Sequence, residues 1–407
     1  MPEAQTVGDR IAELRARRAL TQEELAERSG VSVATIRKLE QNERTSARMS
    51  TLHRLATALR ITTSDLLRPS PVLMGPPCEP DQIALRSLRS QLTPPRSLTG
   101  YLLADAETEP PSLDSVAASW QVAHGLYVAG EYSATVEATA ALLSELRVAE
   151  SVIAGDAERE RWYRLSARSH DLVALLLTQL RLFDLAYLAV DRAIAAADAN
   201  GDKVLGAEPL STLAFLLLRS GRLDDAARVA TIGAEEIEPR LSSAPVPHIA
   251  AWGHLTLWAS SAMARDSRHD GADEMLSLAG AAATRIARFK DQFLVPFSPA
   301  RVAIQSVENA VVQGEPDRAL ALAEQHSPPG EADARKWHRY LLNVSDAQVE
   351  LRRYGDATET LTRVYRAVPE WLRYQRYARE TVSRLVKNRK RTISAELREL
   401  ADFLRVH

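Results

Sequence analysis

The first hundred residues of this 407-residue chain contain no phenylalanine, tyrosine or tryptophan, and all 22 aromatics lie at Tyr101 or beyond. Large rings dominate large cores, so this stretch is a different kind of object from the rest. Cysteine is scarcer still. Cys78 stands alone, which excludes an intramolecular disulfide framework and any zinc site that needs several thiolates. No histidine or cationic cluster beside it lowers its pKa, so it reads as a bystander thiol. The densest apolar runs, 172–177 and 213–218, fall far short of the ~20 residues that cross a bilayer. The N-terminus, MPEAQTVGDR, has no apolar core of the signal-peptide kind. These absences predict a soluble cytoplasmic protein with no membrane partner.

Catalytic signatures are also missing. There is no HExxH, GxxxxGK[ST], GxSxG or GxGxxG. The nine histidines are scattered, and His248 and His254, six apart, do not share metal-ligand geometry on one helix. The expectation is no enzyme, no cofactor and no metal.

What is present is ordinary in bulk and uneven in detail. Hydrophobic residues at 45% and charged residues at 26% exclude wholesale disorder. At ~100–200 residues per domain the length predicts two or three domains. The net charge of −2 divides unequally: residues 1–68 hold 12 Arg/Lys against 9 Asp/Glu, and residues 69–407 hold 39 against 44. Nine of the 20 prolines fall within 69–111. That stretch cannot be one long helix, and it reads as a linker in which 83–92 forms a short helix with Leu85, Leu88 and Leu92 on one side. Such a helix docks on the body or a partner chain, or the stretch is a plain tether.

Within residues 1–68, five short helices are predicted. Thr6 caps the first and Ile11 and Leu14 share its inner face. Thr21 and Glu24 form a capping box for the second. Gly30 supplies the positive φ of a tight interhelical turn, Ser32 caps the third helix, and Ile36 and Leu39 pin it to the body of the domain. The stretches LTQEELAERSGVSVATIRKLEQNER and LHRLATALRITTSDLL resemble the lambda-repressor-like (XRE) helix-turn-helix family. That resemblance covers about 60 residues and implies a recognition helix over 32–40. It implies double-stranded DNA as partner, with Ser32, Val33, Ala34, Arg37 and Lys38 at the major groove or its rim. By the same match Gln22 meets a phosphate, Asn42 and Arg44 are further phosphate candidates, and Glu40 pairs with Arg15. Arg and Lys suit guanine O6/N7 and phosphates. One weakly basic head grips DNA poorly at physiological salt, so a homodimer on a palindromic operator with half-sites ~34 Å apart is expected. The location expected for such a protein is cytoplasmic and nucleoid-associated.

From Asp114 onward Ala- and Leu-rich helical stretches alternate with similar turns. These are Ala129-Gly130-Glu131-Tyr132 with Ala134, Leu182-Phe183-Asp184 with Ala186, and Ser220-Gly221-Arg222-Leu223 with Ala226. Then come His269-Asp270-Gly271-Ala272, Gln313-Gly314-Glu315-Pro316 with Ala319, and Arg353-Tyr354-Gly355-Asp356-Ala357. Each unit reads as helix, tight turn with a Gly and a bulky residue, then a helix opening with a small Ala. With Tyr132, Phe183, Leu223, Ala272, Pro316 and Tyr354 as markers, the spacing is uneven and wider than 34 residues. The pattern resembles a tetratricopeptide (TPR) array, an α-solenoid whose first helices line a concave groove; a plain helical bundle is the alternative. The predicted fold is therefore all-α: a DNA-binding domain at 1–68, a Pro-rich linker with a short helix at 69–111, and a TPR-like repeat domain for ligand binding and dimerisation at 112–407. Groove candidates on first helices are Arg164, Arg168, His170, Phe293, Phe297, Arg301, Asn309 and Asn343.

A helix-turn-helix followed by TPR repeats is similar to the peptide-sensing transcription regulators of Gram-positive bacteria. The resemblance implies a regulator whose repeats dimerise and sense a small signalling molecule or a short peptide. The other expectation is an interaction hub, in which the repeats hold a protein partner and the head tethers it to DNA.

Overall fold

The computed structural model describes residues 6–18, 20–42, 47–59, 61, 63–66, 82–97, 100–101, 110–286, 297–325, 334–388 and 393–406. Cys78, Arg44 and Phe293 lie outside these residues. Among them the chain is all-α apart from one two-residue antiparallel pair.

Five helices form the head: α1 (Val7–Arg17), α2 (Gln22–Ser29), α3 (Val33–Glu40), α4 (Met49–Ala58) and α5 (Thr63–Leu66). The first three start where the sequence places caps. Thr6 accepts from the Asp9 N–H while Asp9 reaches back to Thr6, and Thr21 and Glu24 repeat the arrangement. Gly30 ends α2 at φ 65°, and Ser32 caps α3. The core of the head is wholly aliphatic: Ile11, Leu25, Val31, Ile36, Leu39, Leu52, Leu55, Ala56, Leu59 and Leu66. α1 crosses α3 at Gly8, where an added Cβ would fall 1.8 Å from the Leu39 carbonyl oxygen, so only glycine allows that approach.

α6 (Gln82–Leu92) and the pair β1 (Arg96–Ser97) and β2 (Gly100–Tyr101) follow. The expected short helix exists and docks on the chain's own body. Leu88 and Leu92 are fully buried in the body core and Leu85 packs beside them. Arg147 clasps its end, donating to the Gln91 side-chain oxygen at 2.8 Å and the Gln91 carbonyl at 2.6 Å.

The body stacks helix pairs: α7 (Leu113–Ala129) with α8 (Tyr132–Glu150), α9 (Asp156–Gln179) with α10 (Phe183–Asn200), and α11 (Lys203–Arg219) with α12 (Leu223–Glu236). It continues through α13 (Val246–Arg265) with α14 (His269–Ile286), α15 (Pro299–Gln313) with α16 (Pro316–Glu324), and α17 (Ala334–Glu350) with α18 (Tyr354–Ala367). It closes with α19 (Pro369–Arg373), α20 (Arg376–Asn388) and α21 (Ala395–Leu404). The first helix of each pair packs on the first helix of the next, α7 on α9, then α11, α13, α15 and α17. That is the arrangement of a helical-repeat stack, in which each unit covers its neighbour's apolar face.

One backbone device joins the two helices of all six pairs. A residue at positive φ ends the first helix: Gly130 at 82°, Arg181 at 62°, Gly221 at 84°, Ser267 at 63°, Gly314 at 76° and Arg352 at 61°. The N–H of the next residue then reaches back five positions, Glu131 to Leu126 at 3.1 Å, Leu182 to Leu177 at 2.9 Å, Arg222 to Leu217 at 2.9 Å. Arg268 to Met263 and Glu315 to Ala310, each at 2.9 Å, and Arg353 to Gln348 at 2.8 Å complete the set. This is the Schellman closure, which satisfies a carbonyl that the helix end would otherwise orphan.

The shared turn corrects the register read from sequence. Gly271 and Gly355 lie inside α14 and α18; the left-handed positions there are Ser267 and Arg352. The residue equivalent to Tyr132, Phe183, Leu223, Pro316 and Tyr354 is His269, not Ala272, because each of these opens the second helix. Three positions on comes the close helix crossing, held by Thr135, Ala186, Ala226, Ala272, Ala319 and Ala357, all at 0% exposure. Ala134 is therefore not the small residue of the first unit. Thr135 fits there because its hydroxyl bonds the Glu131 carbonyl at 2.7 Å, so no buried polar group is left over.

Candidate nucleic-acid interface and repeat groove

α3 is set from behind by one carboxylate. Arg15 donates from Nε and Nη2 to the two oxygens of Glu40, each at 2.8 Å, and Gln22 Nε2 donates to Glu40 Oε2 at 2.7 Å. A bidentate Arg–carboxylate pair fixes geometry as well as charge, so α1, α2 and α3 are locked in one attitude and Gln22 is held at the start of α2. Asn42, in the left-handed region at φ 57°, donates to Asp9 Oδ1 at 2.9 Å. The Thr6 N–H and the Asn42 amide together hold the Asp9 carboxyl below its usual range. Asn42 thus ties the end of α3 to the start of α1.

On the opposite side α3 is open. Ser32, Ala34, Arg37 and Lys38 are exposed and Val33 is half-buried. Ser32 Oγ accepts from the Thr35 N–H at 3.3 Å and lies 2.9 Å from the Thr35 hydroxyl, so its oxygen serves the helix cap. Arg37 and Lys38 are thus the cations that the exposed face of the helix presents.

The head sits on the body through α4 and α5, which leaves α3 uncovered. Arg48 donates from its two terminal nitrogens to the carbonyls of Gln313, at 3.2 Å, and Gly314, at 3.3 Å. His53 bridges Thr63, at 2.9 Å from Nδ1, and Asp266, at 3.3 Å from Nε2. Thr63 Oγ1 donates to the Gly221 carbonyl at 3.5 Å and is buried. Gly221, Asp266 and Gly314 belong to the turns that close α11, α13 and α15. A Cβ on Gly314 would fall 2.1 Å from the Arg48 guanidinium carbon, so glycine there serves both the turn and the seat for the head. None of these contacts is legible in sequence, since they join residues 158 to 266 positions apart.

The groove candidates scatter. Arg164 is held at the edge of α9 by Glu160, at 3.3 Å, and Asp202, at 3.7 Å. Arg168 reaches Glu208 at 3.5 Å and lies over the Trp120 ring at 5.9 Å. His170 is held at about 4, hence neutral, chiefly by burial, and its Nδ1 lies 2.9 Å from the Ser166 carbonyl. Phe297 precedes α15 rather than lying on a first helix, and its ring fills the space beside Gly253 and His254. Asn309 Nδ2 donates to Ser260 at 2.8 Å while its Oδ1 accepts from Gln305 at 2.9 Å. Arg301 bonds Gln305 at 3.2 Å and lies over Trp258 at 5.6 Å. Asn343 is 2% exposed with its Nδ2 unbonded.

Arg168 and Arg301 instead flank a small, partly open concavity of about 40 Å³ between α9, α11 and α13, through their contacts with Glu208 and Trp258. Its lining includes Asp171, Glu208, Thr212, Phe215, His254 and Trp258. Phe215 packs on Trp258 with ring centres 5.0 Å apart. The sequence did carry one signal for it: Asp171 is an acid set directly before the apolar run 172–177. Among the described residues no group of His, Cys, Asp and Glu is placed to hold a metal ion, and no helix is long and apolar enough to cross a membrane.

The head is thus a docked, capped, aliphatic five-helix unit with one face of α3 open. Residues 11–66 match the Helix-turn-helix family model. The head is an XRE-type helix-turn-helix domain, and the chain that carries it is a DNA-binding transcription regulator. No curated protein matches the chain.

Proposed function

We propose that the helical body of this regulator senses a small ligand and dimerises the chain, and that it governs DNA binding by holding the head on three of its turns. The division that follows is a DNA-binding domain at 1–68, a linker at 69–111 whose helix α6 is an anchor on the body, and a sensing and dimerising domain at 112–407. At the DNA, Arg37 and Lys38 read the major groove or its rim, with Ser32, Val33 and Ala34 alongside, and Gln22, Asn42 and Arg44 meet phosphates. The arginine and lysine supply donors to guanine or phosphate, whereas Val33 and Ala34 offer only apolar contact.

One observation carries the sensing reading. The helices α11 and α13 line the concavity along their length and seat the head at their ends, through Gly221 and Asp266. A ligand that changes the spacing of these helices changes the spacing of the seats. A bias of ~1–3 kcal/mol between head attitudes shifts operator affinity 5–150-fold. The concavity is small, about 40 Å³, which favours a small molecule over an extended peptide.

The test starts with an operator selected from random duplexes and with dimer mass measured by light scattering. Arg48→Ala and Gly314→Ala, which unseat the head, should leave the protein dimeric and operator-binding but insensitive to a protein-free extract that modulates the wild type. If the extract acts equally on the unseated variants, the seat plays no part. If only the protein fraction of the extract acts, the body is an interaction hub rather than a sensor.

A further inference from the structure

The body bends until its first and last units meet. Ser133, near the start of α8, donates from its N–H and its hydroxyl to Glu370 of α19 at 3.3 and 3.1 Å, and Tyr132 packs against Tyr374 with ring centres 5.8 Å apart. The face lined by the first helices is therefore turned inward, and residues of non-adjacent units face one another across it. What they present is positive, although residues 69–407 as a whole hold 39 Arg/Lys against 44 Asp/Glu. The main pair is Arg219 on α11 and Arg339 on α17, three units apart. Burial, and then the like charges of Arg339 and Arg181, press Arg219 down to about 9. Among the described residues neither Arg219 nor Arg339 makes an ion pair or a hydrogen bond, and Arg219 Nε is buried with no partner. The carboxylate nearby, Glu308, is taken by Arg265. Each guanidinium lies over a ring, Arg219 over Phe215 at 5.9 Å and Arg339 over Tyr377 at 5.1 Å, which steadies its plane and leaves its N–H edge to be used. One turn along α17 from Arg339, Asn343 is 2% exposed and its Nδ2 is bare. Like charges set opposite each other, with buried donors unmade beside them, are costly unless an anion arrives.

We propose that the interior of the body, between Arg219 of α11 and Arg339 of α17, binds a small molecule through a phosphate group. Each guanidinium offers a phosphate paired N–H donors, and Asn343 supplies an amide donor beside them. A doubly charged oxyanion matches the two uncompensated cations, whereas a single carboxylate leaves one of them unmet. Phe215 lines the small concavity described above, and Arg219 follows it by one turn of α11 towards the head. The site therefore lies directly behind the seats of the head: Arg219 stands two residues before Gly221, and Arg265 immediately before Asp266. An anion that draws α11 and α17 together moves the seat on Gly221. That coupling rests on the sensing role proposed above; binding itself does not.

Titration calorimetry on the full chain at constant ionic strength tests the proposal with pyrophosphate, inorganic phosphate and acetate. Pyrophosphate should bind saturably at one site per chain, at least tenfold more tightly than acetate, with phosphate between them. Arg219→Gln and Arg339→Gln should each weaken pyrophosphate at least tenfold, whereas the double variant Arg37→Ala, Lys38→Ala, which strips the open face of the head, should bind it as the wild type does. Without anion Arg219→Gln should melt at or above the wild type, because a like-charge contact is gone, and it should lose most of the rise in Tm that pyrophosphate gives the wild type. Should one glutamine variant fail to fold, the other carries the test, and pyrophosphate should slow hydrogen exchange of α11 and α17 in the wild type. Equal affinities for the three anions, no saturable pyrophosphate binding at millimolar concentration, or loss of binding in the head variant each overturn the proposal. Pyrophosphate binding without change in operator affinity leaves the site standing and removes its coupling to the head. An operator response to a protein-free extract in a chain that ignores pyrophosphate does the reverse: it overturns the site and leaves the sensing reading standing.

Discussion

The head and the body build helices by different means. In the head, α1, α2 and α3 each begin on a side-chain cap supplied by Thr6, Thr21 or Ser32. In the body, the second helices α8, α10, α12, α16 and α18 begin with no side-chain cap at all. Their starts are set by the preceding turn, with its left-handed residue and its five-residue reach-back. The head is specified by local chemistry that any isolated segment carries. The body is specified by a turn that closes only because two helices then pack at Thr135, Ala186 and their equivalents. The charges follow the same division. The head exposes Arg37 and Lys38, whereas the body buries Arg265 against Glu308 with 9% and 12% of their side chains exposed.

The sharpest way to break that contrast is to remove the buried carboxylate. Burial alone would raise Glu308, yet the charges of Arg265, Arg339 and Arg301 hold it at about 2. Its folded value lies below the ordinary 4.5, so its contribution is complete above pH 4.5 and is lost as pH falls through 2. Glu308→Gln leaves buried guanidinium groups without their anion and should destabilise the body by about 3–5 kcal/mol. Thermal denaturation would register this as a large fall in Tm, with no loss of head structure by segment-resolved hydrogen exchange.

Asp171 should behave in the opposite sense. Burial holds it at about 8 when folded, against 3.8 ordinarily. The unfolded chain ionises it from about pH 4 and the folded chain only near 8, so stability declines across that window. Asp171→Asn should therefore melt above the wild type at pH 7, by at most on the order of 4 kcal/mol. The difference should close towards pH 4. A variant less stable than wild type at pH 7 would show that the carboxyl is ionised in the fold.

Arg37→Ala and Lys38→Ala test the other side. Each should cost ~1–3 kcal/mol of specific operator binding when it removes a base contact, or weaken binding to all sequences and lower the salt slope when it removes a phosphate contact. Neither should shift Tm, because both side chains are exposed. Unchanged operator binding by both would displace the recognition surface from α3. The smallest effect belongs to a turn. Arg352 is exposed and sits at φ 61°, where an L side chain costs roughly 1–2 kcal/mol. Arg352→Gly should stabilise the body by about 1 kcal/mol or less, because glycine is also freer in the unfolded chain.

Much of the head was legible because its signals are short. The capping boxes at Thr6 and Thr21, the Gly30 turn and the Arg15–Glu40 pair all follow from spacing or from resemblance. Gly8 was missed: its role is a close crossing between α1 and α3, which no local pattern announces. In the body, six units were readable from repeated turn residues, but their register was not. Arg181, Ser267 and Arg352 occupy positions where glycine is the usual marker, so the glycines at 271 and 355 misled. Asn309 and Arg301 were marked for a groove by residue type alone, yet they belong to a chain of hydrogen bonds through Gln305 to Ser260 between α15 and α13.

The sequence by itself determined the class of each part: an aromatic-free aliphatic head with its caps and helix-turn-helix, a proline-rich connection, and a repeated two-helix body. These depend on residue order over fewer than ten positions, where spacing and steric preference act directly. Tertiary structure alone decided the seat of Arg48, His53 and Thr63 on three turns, the burial of Asp171 beside Trp258, and the placement of α6 on the body. Each of these depends on which surfaces distant segments present to one another. That is fixed by packing of whole helices, and no local spacing encodes it.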